Sequence, residues 1–147
     1  MTNEQISIFF QVISFFGTPF FYMPAAAFLF KINPELAIRL AFSIIITEVI
    51  CGAIKFIYPK ERPIPMPRKT IFQKYLAGSF PSVHTARITT LVTTIALPNP
   101  NKIMILAAFM AISLVGYSRI YLKKHYLIDV IAGFLIGSLI SIGTLMI

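Results

Sequence analysis

Residues 35–58 read ELAIRLAFSIIITEVICGAIKFIY, and this stretch decides the class of fold. A helix needs about 20 mostly apolar residues to cross the hydrocarbon core of a bilayer, and this stretch supplies them before the turn at Tyr58-Pro59. Over all 147 residues, 57% are hydrophobic and 12% are charged, and the mean hydropathy is +0.82. One soluble core cannot bury so much apolar surface, so the composition predicts a chain that is solvated largely by lipid.

Four further apolar runs flank this stretch, and together they predict an all-α, polytopic membrane helix bundle of about five transmembrane helices. The first run, residues 5–31, contains Gly17-Thr18-Pro19. We expect this tripeptide to kink a single span, because either half alone would be too short to cross. The other runs are 83–97, 102–119 and 126 to the C-terminus. We expect residues 1–147 to form one transmembrane domain.

The loop 59–82 is rich in proline and in cationic residues, which favours a stiff, extended path. Within it, four apolar residues recur at helical spacing, namely Ile71, Phe72, Tyr75 and Leu76. The spacing predicts a short interfacial helix that lies on the membrane surface. The alternative is a plain solvated connector.

The chain carries a formal net charge of +8, because 13 Lys and Arg face only 5 Asp and Glu. Such an excess favours a polyanionic partner, and nucleic acid is the usual one. Here the cations lie between apolar spans, so phosphate or lipid headgroups are favoured and nucleic acid is not expected. With five spans, the loop 59–82, the start of 83–97 and the segment 118–126 lie on one face. That face holds ten of the 13 cations: Lys55, Lys60, Arg62, Arg68, Lys69, Lys74, Arg87, Arg119, Lys123 and Lys124.

Three short blocks on this face carry the chemistry of a phosphate site. They are Lys55-x6-Arg62-Pro63, Pro81-Ser82-Val83-His84 and Ser118-Arg119-x5-His125-x3-Asp129. Arg forks pair bidentately with phosphoryl oxygens, and Lys adds a point charge. Ser82 follows a proline and starts a helix, so its hydroxyl and the next two free amides would face an anion.

The two histidines suit nucleophilic and acid–base roles. His125 and Asp129 are four residues apart and share a helix face. A carboxylate that accepts from one ring nitrogen fixes the tautomer and leaves the other nitrogen able to attack phosphorus. His84 is then available to protonate the leaving oxygen. No carboxylate or Cys/His cluster suggests a metal site, so we expect no metal and no cofactor.

The three blocks resemble the signature of the type 2 phosphatidic acid phosphatase family, K-x6-RP, PSGH and SR-x5-H-x3-D. Order and spacing match over residues 55–129, about half the chain. The one departure is Val83, where the family usually has Gly. A backbone amide survives that change, but the β-branched side chain narrows the pocket, which bears on substrate size.

The resemblance implies a role for each residue of the blocks. His125 would be the nucleophile that forms a phosphohistidine, and Asp129 its orienting partner. His84 would be the general acid of the first step and then the base that activates water. The phosphoryl group would be bound by Lys55, Arg62, Ser82, the amide of Val83, and Arg119.

The implied substrate is a membrane lipid phosphate, and no obligate protein partner is expected. The candidates are a polyprenyl pyrophosphate, a lipid A-type glycolipid phosphate, phosphatidylglycerol phosphate and phosphatidic acid. Two other functions compete. A vanadate-dependent haloperoxidase shares this type of pocket, but such proteins are large and soluble. An anion channel or lipid-binding membrane protein would use the cations only to hold phosphate.

Two further points concern charge. Arg87 lies inside a predicted span, where it extends the phosphate site or pairs with Glu48; for Glu48 we expect an ion pair with Arg87 or Lys55. Residues Lys123 and Lys124 are expected to be interfacial. The positive-inside rule would put the cationic face in the cytoplasm, whereas the family resemblance implies an active site on the extracytoplasmic side of the cell membrane, which is the orientation we expect.

Overall fold

The computed structural model describes residues 2–146, and this part of the chain is helical with no strand. The α-helices are α1 (Asn3–Phe15), α2 (Pro19–Ile32), α3 (Pro34–Ile57), α4 (Ile71–Ala77), α5 (Val83–Ala96), α6 (Lys102–Tyr121) and α7 (Leu127–Gly143). A 3₁₀ turn, Thr144–Met146, follows α7. The predicted all-α class is confirmed. Met1 and Ile147, the ends of the predicted domain and of its last span, lie outside the described residues.

Length and composition of the helices confirm only part of the predicted set of five membrane spans. Three segments are long and apolar enough to cross a bilayer: α3, α6, and α7 together with its 3₁₀ turn. The pair α1 and α2 is a fourth candidate, bent by 42° at a break that falls at the predicted kink. The helix α5 has only 14 residues, which is about 21 Å at 1.5 Å per residue. The helices therefore supply three to four spans by length and composition.

The short helix predicted within the loop 59–82 is present as α4. Its N-cap is Thr70, whose hydroxyl accepts a hydrogen bond from the backbone amide of Gln73. The side-chain oxygen of Gln73 in turn accepts from the backbone amide of Thr70. This reciprocal capping box satisfies amide donors that the first helical turn leaves free. Two large apolar side chains of α4, Ile71 and Phe72, are 76% and 69% exposed.

The helix α5 is the centre of the bundle, with ten of its 14 residues buried. It packs against α3, α6 and α7. Hydroxyl groups join these helices: Thr47 to Thr90 at 2.9 Å between α3 and α5, and Thr94 to Ser141 at 3.1 Å between α5 and α7. Such pairs link helices where lipid gives no hydrophobic drive for association. Four threonines of α5 are buried and therefore face protein and not lipid, namely Thr85, Thr89, Thr90 and Thr94.

Glycines of α7 set how closely it approaches α5. A Cβ at Gly133 would collide with the carbonyl oxygen of Ser82 and would lie 3.1 Å from the amide nitrogen of Ala86. A Cβ at Gly137 would lie 2.6 Å from the carbonyl oxygen of Ala86. Only glycine permits this backbone approach, which brings the N-terminus of α5 beside the N-terminus of α7.

Candidate active site

The three sequence blocks meet around the segment 78–82. The amide of Ser82 donates to the carbonyl oxygen of Asp129 at 2.8 Å, which joins the second block to the third. The ammonium of Lys55, in the first block, donates to the carbonyl oxygen of Gly78 at 2.6 Å. The convergence of distant segments that the spacing of the spans predicts is thus present in the structure.

His125 lies in the turn between α6 and α7 and is 2% exposed. Its Nδ1 is 2.7 Å from the carbonyl oxygen of Ser79. A carbonyl oxygen only accepts, so Nδ1 carries the proton and Nε2 keeps the free lone pair. Burial lowers the pKa of His125 well below its usual value, and the positive charges of Arg62 and Arg119 lower it further. The ring is therefore a neutral base at neutral pH.

The direct hydrogen bond predicted between Asp129 and His125 is not formed. Asp129 Oδ2 lies 3.9 Å from His125 Nδ1. The carboxylate, which is fully buried, instead accepts from the Tyr126 amide at 2.8 Å, the Ser79 hydroxyl at 2.5 Å and the Lys60 ammonium at 2.6 Å. The reason is local, because Asp129 lies in the first turn of α7 and caps that helix.

Two residues that the sequence analysis did not single out, Ser79 and Lys60, connect Asp129 to His125. Ser79 binds Asp129 through its hydroxyl and His125 through its carbonyl oxygen. Its own amide donates to the carbonyl oxygen of Lys60 at 2.8 Å, and the ammonium of Lys60 returns to Asp129. Ser79 lies in an irregular loop with no periodic pattern, and Lys60 was one cation among ten, so the sequence offered no signal for either.

His84 is the second residue of α5 and is half-buried beside the break between α1 and α2. A Cβ at Gly17, in that break, would lie 2.8 Å from the Cβ of His84, so only glycine fits there. Both His84 and His125 lie near the positive charges of Lys55, Arg62 and Arg119. The two histidines therefore share one cluster of cations.

The two arginines of the blocks have donors to spare. Arg119 donates from Nη1 to the hydroxyl of Ser14 on α1. The Nε atoms of Arg62 and Arg119 are buried and have no hydrogen-bond partner within residues 2–146. A buried donor without a partner is costly, and a bound anion would relieve that cost at both residues.

Lys55 is 3% exposed, and its ammonium is committed to protein acceptors. It donates to the carbonyl oxygens of Gly78 at 2.6 Å and of Tyr75 at 3.4 Å, at the C-terminal end of α4. An ammonium has three donors, so one is left for another acceptor. The geometry makes Lys55 an anchor for the segment that carries Ser79.

Ser82 and Val83 form the N-terminus of α5. The hydroxyl of Ser82 lies 2.9 Å from the hydroxyl of Thr85 and caps the helix. The amide of Ala86 is the first to bond within the helix, to the carbonyl oxygen of Ser82. The amides of Val83 and His84 thus have no acceptor within the helix and would be available to an anion.

Two other predictions concern charge. The ion pair predicted for Glu48, with Arg87 or with Lys55, forms with Arg87. Between residues 2 and 146 no group of three or more His, Cys, Asp and Glu side chains could hold a metal ion. The absence of a metal from the reaction remains a prediction, as do the chemical roles of the individual residues.

Known proteins resemble this chain in sequence and in fold. The family model of the PAP2 superfamily matches residues 36–147. An undecaprenyl-diphosphatase of Sulfolobus acidocaldarius is 34% identical over 133 residues, which are 88% of this chain. The match covers 64% of that relative, so the chain spans less than two thirds of its length.

Two crystal structures share the fold. Aquifex aeolicus LpxE superposes with a TM-score of 0.85 at 26% identity, over 99% of this chain and 88% of the other. The first transmembrane PAP2 type phosphatidylglycerolphosphate phosphatase from Bacillus subtilis gives a TM-score of 0.81 at 21% identity, over 98% and 77% of the two chains.

Proposed function

The chain belongs to the PAP2 superfamily, and we propose that it is a membrane phosphatase that hydrolyses a phosphomonoester or pyrophosphate of a lipid. The observation that carries the proposal is the state of His125. Its Nδ1–H is committed to the Ser79 carbonyl oxygen at 2.7 Å, so the neutral ring has its other nitrogen free beside a cluster of cations. That is the arrangement a nitrogen nucleophile needs to attack phosphorus.

The reaction runs in two displacements. Nε2 of His125 attacks phosphorus, and the bond from phosphorus to the lipid oxygen breaks. His84 enters this step as an imidazolium, which the negative charge of the bound phosphate stabilises, and gives its proton to that oxygen. His84 then takes a proton from water, whose oxygen attacks the phosphohistidine, and inorganic phosphate leaves with His125 neutral again. The orientation of His125 through Ser79 and Asp129 serves both steps.

The cations stabilise the charge that develops on the phosphoryl oxygens. Arg62 and Arg119 have buried Nε donors without partners in the described part of the chain, and the amides of Val83 and His84 lie at a helix N-terminus, which attracts anions. Fixed donors of this kind supply the stabilisation that a metal gives in other phosphotransferases. Lys55 contributes its charge and holds the loop at Gly78.

The substrate class is a lipid whose phosphate enters the site while its hydrocarbon stays in the bilayer. The site lies at the ends of membrane-capable helices, which suits such a substrate. One relative is named an undecaprenyl-diphosphatase and one structural neighbour a phosphatidylglycerolphosphate phosphatase. The proposal therefore covers polyprenyl pyrophosphates, lipid A-type phosphates, phosphatidylglycerol phosphate and phosphatidic acid, with membrane lipids as the surroundings and no obligate protein partner.

The architecture proposed with this function is one domain with five spans, in which α5 is the inner one. A helix of about 21 Å is shorter than the hydrocarbon core of about 30 Å, but α5 is shielded from lipid by α3, α6 and α7. The exposed Ile71 and Phe72 of α4 would lie in the interface. The active site would face the extracytoplasmic side.

Cysteine accessibility in intact cells tests that orientation. Single cysteines at positions within 64–70 and within 98–102, in a chain whose Cys51 is replaced by alanine, would be labelled with a membrane-impermeant maleimide. We expect labelling at 64–70 and protection at 98–102. The reverse pattern would place the site in the cytoplasm.

The activity is tested by phosphate release from a panel of detergent-solubilised lipid phosphates, with the purified full chain in excess EDTA. We expect release from at least one lipid, and inhibition by vanadate, which mimics the five-coordinate phosphorus. Loss of activity in EDTA would contradict the proposed mechanism. Retained phosphate binding with no release from any lipid would favour the channel or lipid-binding alternative.

A further inference from the structure

A second polar cluster lies one helical turn from His84, and the mechanism above does not use it. Arg87 of α5 pairs with Glu48 of α3 through two contacts, Nε to Oε1 and Nη2 to Oε2, the latter at 2.8 Å. The Tyr22 hydroxyl of α2 donates to Oε1 at 3.2 Å, and the Tyr75 hydroxyl of α4 donates to Oε2 at 3.3 Å. Four helices therefore meet on one carboxylate.

The cluster is costly to build for stability alone. Arg87 is 9% exposed and Tyr22 is 5% exposed, whereas the side chain of Glu48 is 31% exposed. Desolvating the arginine side of the pair offsets part of its Coulombic gain. The guanidinium is also 5.8 Å from the ring of Tyr22. Burial raises the pKa of Tyr75 to about 12, so its hydroxyl stays protonated and remains a donor to Glu48. The arrangement is specific in geometry, because a planar fork meets a planar carboxylate.

Arg87 is linked to His84 in two ways. The two residues are three apart on α5, so they lie on neighbouring turns of one face. The Nη1 of Arg87 also approaches the carbonyl oxygen of Gly17 at 3.5 Å. Gly17 packs against His84 so closely that a Cβ at position 17 would not fit. The cluster thus contacts both α5, which carries His84, and the break between α1 and α2, which packs against His84.

We propose that the Glu48–Arg87 pair is a positioning device for the proton-transfer histidine, His84, with Tyr22 and Tyr75 holding Glu48 in place. This inference rests on the proposed function. The pair acts through His84 and not on the phosphate, because the guanidinium fork is occupied by Glu48. Arg87 is therefore a positioning residue and not a phosphate ligand.

The proposal predicts a dependence on the leaving group that a purely structural role would not give. An alkoxide leaves only with a proton, so its departure needs a well-placed His84. A nitrophenolate leaves without one, so the first displacement on an aryl phosphate is insensitive to His84. Only the later attack of water, which His84 also assists, should slow for the aryl substrate.

The test compares dodecyl phosphate with a nitrophenyl phosphate that bears a dodecyl chain, in detergent, with the full chain. For Glu48→Gln and Arg87→Lys we expect kcat on dodecyl phosphate to fall about tenfold or more, with KM nearly unchanged. In the first turnover on the aryl substrate, the burst of nitrophenolate should keep its wild-type rate and an amplitude near one per chain. Lys cannot replace the fork of Arg.

The matched control is Arg39→Lys, which changes another arginine that bonds to α5. Arg39 donates to the carbonyl oxygen of Thr94 at 2.9 Å, ten residues along α5 from His84. We expect both substrates to be hydrolysed at wild-type rates. Tyr75→Phe is a milder variant for the case in which Glu48→Gln does not fold: it removes one hydrogen bond to Glu48 and should lower kcat on dodecyl phosphate about two- to fivefold.

Equal losses of kcat on the two substrates, together with a smaller nitrophenolate burst, would overturn the proposal, because a smaller number of folded molecules would explain both results. Unchanged kcat on dodecyl phosphate would overturn it as well. If the wild-type chain hydrolyses neither substrate nor any lipid of the panel, the proposed function itself fails.

Discussion

The surroundings of His125 and of His84 differ although the two residues share one cation cluster. His125 lies in a turn, and the hydrogen bond that its Nδ1 donates to the Ser79 carbonyl oxygen fixes its tautomer. His84 lies in a helix, its ring makes no hydrogen bond within residues 2–146, and it is held by packing against Gly17. A nucleophile needs one tautomer at all times, whereas a group that gives and then takes a proton must be free to change state.

The largest expected effect separates the two histidines. His125→Ala removes the proposed nucleophile, so phosphate release from every substrate should fall to background. His84→Ala removes only the proposed proton transfer, which would contribute about 10²- to 10⁴-fold, so release from an alkyl phosphate should fall by that factor. Release rates measured for alkyl and nitrophenyl phosphates, with trapping of the phosphoenzyme in acid-quenched samples, would show the difference.

For the nitrophenyl substrate, His84→Ala should still form the phosphoenzyme, and His125→Ala should not. A phosphoenzyme in the His125→Ala variant would contradict the assignment of the nucleophile. Lys123→Ala, at a neighbouring cation outside the proposed site, is the control and should keep wild-type rates.

The next largest effect is expected from Ser79→Ala, which tests whether Ser79 orients His125. Ser79→Ala keeps the backbone carbonyl oxygen but removes the hydroxyl that binds Asp129 at 2.5 Å. A hydrogen bond to a charged group contributes about 1.5–3 kcal/mol, so kcat should fall roughly ten- to 100-fold. Ser141→Ala removes an equally buried hydroxyl from α7, away from the site, and should not change kcat. Equal effects of the two substitutions would argue against an orienting role for Ser79.

The positions of His84 and His125 also depend on how closely α5 and α7 approach each other. Gly133→Ala would place a Cβ against the carbonyl oxygen of Ser82, so the helices must separate. Overpacking of this kind costs about 1–3 kcal/mol of unfolding free energy, and the activity should fall as the histidines move apart. Gly143→Ala, on the same helix with nothing within 4 Å of the new Cβ, should be neutral or slightly stabilising. Thermal unfolding in detergent measures both, and equal melting temperatures would contradict the packing argument.

The smallest expected effect is on pH dependence. Because burial and the nearby cations lower the pKa of His125 below its usual value, the neutral nucleophile should persist below pH ~6.5. Arg62→Gln removes one of those charges, so protonation becomes easier and the acidic limb of kcat/KM should move to higher pH. The phosphate of the substrate also titrates near pH ~6 but contributes equally to both enzymes. A limb that stays in place, or moves to lower pH, would contradict the stated cause.

Much of the fold was predictable because it depends on local composition. An apolar run long enough to cross a bilayer forms a helix in the hydrocarbon core, because its backbone polar groups must be satisfied internally. The predicted runs 35–58 and 102–119 correspond to α3 and α6. The break at Gly17 followed from the tripeptide Gly17-Thr18-Pro19, and the helix α4 followed from the helical spacing of its apolar residues. The spacing of the three blocks also predicted which segments converge, since helices that cross a bilayer alternate their ends.

The sequence alone determined the helical class, the positions of the apolar runs and the chemical types gathered at one end of the bundle, because these depend on composition and spacing along the chain. The tertiary structure decided what each group touches. In the tertiary structure the carboxylate of Asp129 accepts hydrogen bonds from Lys60, Ser79 and Tyr126. The ring of His125 donates to a loop carbonyl oxygen, and Glu48 forms its ion pair with Arg87. Hydrogen-bond partners depend on sub-ångström placement of segments far apart in the chain, and no local pattern encodes that placement.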